Sequence, residues 1–171
     1  MSYILDLRKE VGHRTLLQCA ASIICVDEQG RVLLGLRSDN NMWGYSGGSV
    51  ELDEKVEDCA RRELLEEMGL KAHEIEFFYI NSGAETHYTY PNGDEVSNVE
   101  IVYLCRNYEG VPRCLDGEML ELKFFKPEEI NLEDLVPPIR PVMREYLKRR
   151  KIDVDSSCCI LRNSQGSKGD N

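Results

Sequence analysis

Hydrophobic and polar positions change their spacing several times along the chain, and each change marks the boundary of a predicted element. Runs rich in β-branched and aromatic residues predict strands at residues 15–26, 31–37, 75–80, 85–90, 99–105 and 120–125. The polar stretch 27–30 predicts a short turn, so we expect the first two strands to form a hairpin. Pro91-Asn92-Gly93-Asp94 predicts a second turn, because proline and glycine favour turn geometry.

Residues 55–68 show a different period, which is typical of a helix. Val56, Ala60, Leu64 and Met68 recur every fourth residue and form one apolar stripe. Gly69 follows at the position where a left-handed helix cap is expected. A short helix is predicted at 127–130 and a longer one at 138–151. Strands interspersed with helices in this order predict an α/β fold, an α/β/α sandwich around a central mixed β-sheet.

The two ends of the chain differ from its middle. Residues 1–15 form a lead-in segment in which Tyr3 to Val11 is amphipathic, and we expect an added helix or a homodimer contact there. Residues 16–151 are predicted to form the single folded domain, and the polar residues 152–171 are predicted to be a disordered tail. No apolar run reaches the roughly 18 residues that span a bilayer, and the N-terminus lacks signal-peptide features. We therefore expect a cytoplasmic protein with no membrane partner.

Composition limits the functions that fit. The net charge is -10, from 21 basic and 31 acidic residues, which argues against broad electrostatic binding to nucleic acid. An anionic substrate would therefore have to come with a metal ion. The seven cysteines show no zinc-site spacing. Cys19, Cys25, Cys59 and Cys105 are expected to pack as reduced thiols.

Three glutamates crowd one face of the predicted helix. Glu63, Glu66 and Glu67 stand at positions i, i+3 and i+4, where like charges cost a few tenths of a kcal/mol per pair. A divalent cation would relieve that repulsion, and carboxylate oxygens suit Mg²⁺ or Mn²⁺. An acidic helix face taken alone is more commonly just solvated. The surrounding residues decide between these interpretations.

Those residues are Gly47 and Gly48 before the helix, Glu54 in the connecting loop, Arg62 beside Glu63, and Gly69. Two glycines permit a tight turn, and Arg62 can pair with a carboxylate of the loop. Read from Gly48 to Leu70, the pattern is Gly-x5-Glu-x7-Arg-Glu-Leu-x-Glu-Glu-x-Gly-Leu. It resembles the signature of the Nudix hydrolases, and the resemblance covers about residues 16–148.

The resemblance implies the Nudix fold and an Mg²⁺- or Mn²⁺-dependent hydrolysis. The bond cleaved would be the pyrophosphate linkage of a nucleoside diphosphate joined to another group, in a nucleoside triphosphate, ADP-ribose or a nucleotide sugar. It implies Glu63 and Glu67 as the main metal ligands, with the Gly48 carbonyl close by. Glu66 would be a further ligand or the general base. Gly47, Glu54, Arg62 and Gly69 would then maintain the shape of the motif.

Residues outside the motif complete the predicted site. Glu118, or its neighbour Glu121, is expected to face the motif helix as a further catalytic carboxylate, and Glu100 is a weaker rival. Relatives often place a phosphate-contacting arginine where Arg37 ends the second strand. Trp43 is predicted either to stack on a substrate base or, more simply, to pack in the core.

Two departures and two alternative functions complete the prediction. Ser46 stands where many relatives have proline, and Asp53 stands where many have glycine, so the loop geometry is expected to differ. The leading hypothesis is an enzyme acting on a small-molecule nucleotide. The alternatives are a nucleotide-sensing domain without turnover and an RNA 5′-end pyrophosphohydrolase.

Overall fold

The computed structural model describes residues 3–115 and 117–151. Its helices are α1 (Tyr3–Val11), α2 (Val56–Met68) and α3 (140–151). Its strands are β1 (Leu16–Cys25), β2 (Val32–Arg37), β3 (Trp43–Gly44), β4 (Ser46–Ser49), β5 (Lys71–Asn81), β6 (His87–Thr89), β7 (Glu95–Glu109) and β8 (Met119–Phe125). Short 3₁₀ turns cover Ala84–Thr86, Pro127–Glu129, Leu132–Asp134 and Pro137–Ile139.

The strands form a mixed sheet and a smaller antiparallel one. The larger sheet has the order β4-β1-β7-β5, with β6 also paired to β7. Strands β1 and β7 run parallel, whereas β4 and β5 pair antiparallel with their neighbours. The smaller sheet has the order β3-β2-β8. The predicted mixed sheet is therefore confirmed.

The predicted hairpin between β1 and β2 is wrong. The turn forms, since Asp27 N–H donates to the Arg31 carbonyl, but only one antiparallel bridge follows, between Val26 and Val32. The reason is that both edges of β1 are already occupied, one by β4 and the other by β7. Strand β2 therefore diverges and pairs with β3 and β8 instead.

Two hydrophobic clusters fill the space between sheets and helices. Ile23 and Leu33 pack with Leu64 of α2, whereas the adjacent residues Ile24 and Leu34 pack in the cluster that contains Tyr146 of α3. Successive strand residues point to opposite faces, so one apolar run serves both clusters. This arrangement confirms the α/β/α sandwich.

The helix that carries the motif agrees closely with its prediction. Helix α2 begins at Val56 and ends at Met68, and Gly69 has a φ of +69° and donates its N–H to the Leu65 carbonyl. This positive φ is the left-handed conformation that glycine adopts without a steric penalty. Other bounds shifted: β5 and β7 are longer than predicted, and the strand predicted at 85–90 is a 3₁₀ turn followed by the short β6.

Helix α1 has no fully buried residue, yet it is anchored to the domain. The Tyr3 N–H donates to a Glu51 carboxylate oxygen at 2.7 Å, and the Arg8 guanidinium donates to the Glu95 carbonyl and lies 3.6 Å from Asp94. The lead-in segment is thus a helix that contacts the motif loop and the start of β7. No helix within residues 3–115 and 117–151 has the length and apolar content needed to cross a membrane.

The cysteine predictions hold in part. Cys25, Cys59 and Cys105 are buried free thiols, but Cys19 is exposed. Cys19 lies two residues after the exposed Leu17 in β1 and therefore shares its face of the strand, which points away from the core. The prediction of a disordered tail concerns residues 152–171, which lie outside the described residues.

Candidate functional site

The two motif glycines let β4 approach the motif helix closely. A Cβ atom built on Gly48 would lie 2.4 Å from the Glu63 carboxylate, and one built on Gly47 would lie 2.0 Å from the Ser22 hydroxyl. Strand β4 lies at the edge of the mixed sheet, where it pairs with β1. A side chain at Gly47 would collide with Ser22 and the Ala21 backbone of β1, whereas a side chain at Gly48 would displace the Glu63 carboxylate.

Arg62 joins the motif loop to α2. Its Nε and one terminal nitrogen donate to the two Glu54 oxygens at 2.7 and 2.9 Å, and the same terminal nitrogen donates to the Ser49 carbonyl at 3.3 Å. The other terminal nitrogen donates to Glu63 at 2.6 Å. The Arg62 hydrogen bonds lower the pKa of Glu54 to about 2. The Arg62 guanidinium therefore links the motif loop to α2, which is the structural role that the sequence pattern predicts for it.

Glu67 is the most deeply buried carboxylate of the motif. It is 2 % exposed, and one carboxylate oxygen accepts the Gly47 N–H at 3.0 Å. Burial raises the pKa of Glu67 to about 8, and the negative charges of Glu63 and Glu118 act in the same direction. The Arg37 guanidinium interacts electrostatically with Glu67, yet the pKa of Glu67 stays raised, so the site favours either a proton or a bound metal ion at this carboxylate.

The other predicted carboxylates face the same space. Burial also raises the pKa of Glu63, against the opposing effect of Arg62, while Glu66 lies at the rim with 55 % of its side chain exposed. The charge of Glu118 acts on both Glu63 and Glu67. All four glutamates line one cavity of about 570 Å³, which Gly47, Gly48 and Arg37 also line. The fold thus brings together residues from α2, the start of β8 and the end of β2.

The cavity supplies some, but not all, of the oxygen ligands that a hard divalent cation needs. Among residues 3–115 and 117–151, no three His, Cys, Asp or Glu side chains already form a metal cage. Mg²⁺ commonly uses only one or two carboxylates and fills its remaining positions with water and substrate phosphate oxygens. The buried Glu67 and the partly buried Glu63 both have raised pKa values, and a Cβ atom on the adjacent Gly48 would collide with Glu63, so they provide such a partial set.

Arg37 is placed where a substrate phosphate could reach it. It lines the cavity of the four glutamates and also a smaller neighbouring cavity of about 120 Å³. Its Nε and one terminal nitrogen donate to Asp39 at 3.0 and 3.1 Å, so one edge of the guanidinium is held in position. The phosphate contact of Arg37 stays a prediction.

Trp43 lies elsewhere. Its ring meets the Phe125 ring edge-on with 4.8 Å between centroids, and it packs beside Leu135 in the cluster of α3. Trp43 lines neither of the two cavities. The geometry favours core packing over the predicted stacking on a substrate base.

Glu100, the weaker rival to Glu118, lines the smaller cavity and not the cavity of the motif carboxylates. The smaller cavity also contains Asn81 and Asn98, which the sequence reasoning missed. The sequence contained a signal, because Asn98 and Glu100 lie two positions apart beside the apolar run 101–105, and residues two apart in a strand share one face. Helix α1 was also missed as a wall of the larger cavity, to which it contributes Arg8.

Comparison with known proteins places this geometry in context. A family model described as NUDIX domain matches residues 16–146. The "Nucleoside triphosphatase NudI" of Salmonella newport (strain SL254) is 30% identical over 125 residues, which cover 67% of this chain and 87% of that protein. The crystal structure of the MutT NUDIX hydrolase from Burkholderia pseudomallei has a TM-score of 0.63 at 24% identity, covering 75% of this chain and 97% of that one. The solution structure of the E. coli ORF135 protein gives a TM-score of 0.62 at 23% identity, covering 80% and 92%.

Proposed function

The chain belongs to the NUDIX family of hydrolases, and from this premise we propose that it hydrolyses the pyrophosphate linkage of a nucleoside triphosphate with the help of Mg²⁺ or Mn²⁺. One observation carries the proposal: Glu63, Glu66, Glu67 and Glu118 meet in a single cavity beside Gly48. Burial raises the pKa values of Glu63 and Glu67, which is the electrostatic situation that a bound divalent cation relieves.

We assign metal binding to Glu63 and Glu67, with the Gly48 carbonyl as a neutral ligand, whereas Glu66 serves either as a further ligand or as the general base. Bound Mg²⁺ or Mn²⁺ would supply positive charge for the non-bridging phosphate oxygens. Arg37 lies in the same cavity and can donate to a phosphate oxygen from the edge that Asp39 does not use. Arg62 is not available for the substrate, because it already holds Glu54, Ser49 and Glu63.

The general base takes a proton from the attacking water. Glu66 and Glu118 are the candidates in our proposal, because both line the cavity and neither is buried like Glu67. Both side chains are exposed to solvent, so a water molecule can reach either carboxylate. Comparing Glu66→Gln with Glu118→Gln under single-turnover conditions assigns the role to the variant with the larger loss.

A nucleoside triphosphate is favoured as substrate because the Salmonella relative is named a nucleoside triphosphatase. The cavity volume of about 570 Å³ agrees with a small-molecule ligand, for which about 300–1,000 Å³ is usual. The net charge of -10 disfavours an RNA substrate. A sensing domain is disfavoured because all the motif carboxylates are retained. Homodimer formation and a cytoplasmic location stay predictions.

The test is phosphate or pyrophosphate release from nucleoside triphosphates, ADP-ribose, nucleotide sugars and capped RNA, with Mg²⁺, Mn²⁺ or excess chelator. We expect chelator-sensitive hydrolysis of a triphosphate, a loss of at least a hundredfold in Glu67→Gln, and no loss in Glu76→Gln. Glu76 is a matched control because its side chain is 75% exposed on β5. Hydrolysis that survives the chelator, or that Glu67→Gln leaves intact, would contradict the proposal. Nucleotide binding without turnover in either metal would instead support a sensing domain.

A further inference from the structure

Helix α1 forms one wall of the cavity that contains the motif carboxylates. Ile4, Leu5 and Arg8 line this cavity together with Glu63 and Glu67. Leu5 is 60 % exposed although it is a large apolar side chain. The family model begins at residue 16, so this wall lies outside the part of the chain that the model matches. The proposed hydrolysis gives the helix no role.

The helix is fixed at both ends to residues that line the same cavity. Near its start, the Tyr3 N–H donates to a Glu51 carboxylate oxygen at 2.7 Å, and in its last turn the Arg8 guanidinium lies 3.6 Å from Asp94. Glu51 and Asp94 both line the cavity, and they belong to different segments, the motif loop and the turn before β7. Helix α1 therefore bridges two parts of the cavity rim.

Arg8 fastens this helix to the domain. One terminal nitrogen of its guanidinium donates to the carbonyls of Gly12 and Arg14, and the other donates to the Glu95 carbonyl. No residue of α1 is fully buried, so apolar packing contributes little to its attachment. Removal of the guanidinium would therefore release the last turn of α1 from β7.

The two sides of the cavity differ in the room that they offer. Beyond Arg37, Gly47 and Gly48 the space continues into the smaller cavity, which these three residues also line. Helix α1 lines only the larger cavity and limits it on the other side. A nucleoside triphosphate carries a bulky group on one side of its pyrophosphate, whereas ADP-ribose and nucleotide sugars carry one on each side. The cavity shape therefore suits the triphosphate.

We propose that α1 is a specificity element that excludes substrates with a bulky group on both sides of the pyrophosphate. This inference rests on the proposed function and narrows its substrate class to nucleoside triphosphates. Ile4 and Leu5 limit the room through their side-chain volume, and they offer no hydrogen bonds to the hydroxyl groups of a second sugar. Arg8 is a positioning residue, because it acts by holding the helix in place.

The test measures kcat/KM with Mg²⁺ for substrate pairs that share a nucleoside, ATP with ADP-ribose and GTP with GDP-mannose. The unaltered protein should prefer the triphosphate of each pair. Leu5→Ala enlarges the cavity beside α1 and should reduce that preference by about tenfold. Leu115→Ala is the matched control, because Leu115 is 55 % exposed and lines neither of the two cavities. It should leave the preference unchanged.

Arg8→Ala tests the positioning role. It should reduce the same preference, because ADP-ribose and GDP-mannose gain more from a released helix than the triphosphates do. Lys9→Ala is its control, since the Lys9 side chain is 72 % exposed on the same helix. A merely structural role for Arg8 would lower kcat/KM equally for both members of a pair, and that result would contradict the proposal.

Leu5→Ala decides the outcome if Arg8→Ala does not fold, because Leu5 contributes little buried surface. Equal kcat/KM for the two members of each pair in the unaltered protein, or an unchanged preference in folded Leu5→Ala, would overturn the inference. In that case metal-dependent triphosphate hydrolysis would still stand. Failure of the proposed function would instead appear as an absence of hydrolysis for every nucleotide.

Discussion

Replacing Glu67 with glutamine should stabilise the metal-free protein, although it should abolish turnover. The folded-state pKa of Glu67 is about 8 against an ordinary value of 4.5, and burial is the main cause. The group is protonated more readily in the folded than in the unfolded protein. The favourable contribution of this protonation to the free energy of unfolding is therefore complete below pH 4.5 and is lost as the pH rises toward 8. Glutamine carries no charge and can still accept the Gly47 N–H through its amide oxygen.

The size of this effect follows from the pKa difference. Between the unfolded value of 4.5 and pH 7 there are 2.5 pH units, each worth about 1.4 kcal/mol, which gives an ionisation cost of about 3 kcal/mol at pH 7. Glu67 is only 2 % exposed, so solvent screening reduces this value little. Relief of about 3 kcal/mol should raise the melting temperature of a domain of this size by about 5–10 °C.

The assay is urea unfolding in excess chelator at pH 5 and pH 8 for the unaltered protein, Glu67→Gln and the exposed control Glu76→Gln. The free energy of unfolding of Glu67→Gln should exceed that of the unaltered protein slightly at pH 5 and by more at pH 8. The free energy of unfolding of Glu76→Gln should equal that of the unaltered protein at both pH values. Added Mg²⁺ should stabilise the unaltered protein more than Glu67→Gln. An advantage that does not change with pH would refute burial of an ionisable carboxyl group as the cause.

Three further predictions concern the motif loop. Glu54→Gln weakens the two hydrogen bonds with Arg62 and should lower the free energy of unfolding by about 1–2 kcal/mol at pH 7. Because the pKa of Glu54 is lowered to about 2, this loss should shrink as the pH falls from 4.5 toward 2 in acid-unfolding curves. Gly48→Ala places a Cβ atom against Glu63 and should reduce kcat about tenfold or more, with an unchanged circular dichroism spectrum. Asp53 has a φ of +63°, so Asp53→Gly should unfold at a higher temperature than Asp53→Ala by the equivalent of about 1 kcal/mol; equal melting temperatures would contradict this.

Local sequence predicted the motif helix well, because its determinants are local. The spacing of Ala60, Leu64 and Met68 fixes the buried face of α2, and Gly69 ends the helix through its own backbone freedom. The same helical period places Glu63 and Glu67 on one side. The Arg62–Glu54 pair was also predictable, since the two residues are close in sequence.

Other features depended on contacts between distant residues. The turn at 27–30 forms as predicted, but the competition between β4, β7 and β2 for the edges of β1 decided that no hairpin follows it. The environment of Trp43 was likewise set by Phe125 and Leu135. Local patterns do not encode which remote strand pairs with an edge of β1 or which remote side chains pack on the Trp43 ring, because both depend on the packing of the whole chain.

The family signature, the motif helix and the carboxylates on that helix were predictable from the amino-acid sequence, because all of them follow from residue types at fixed offsets. Only the folded chain shows that Glu118, and neither Glu121 nor Glu100, lines the cavity of those carboxylates, and that α1 forms part of its wall. It also decided the raised pKa of Glu67. A pKa shift and a cavity arise from burial and from the approach of remote groups, which only the folded chain brings together.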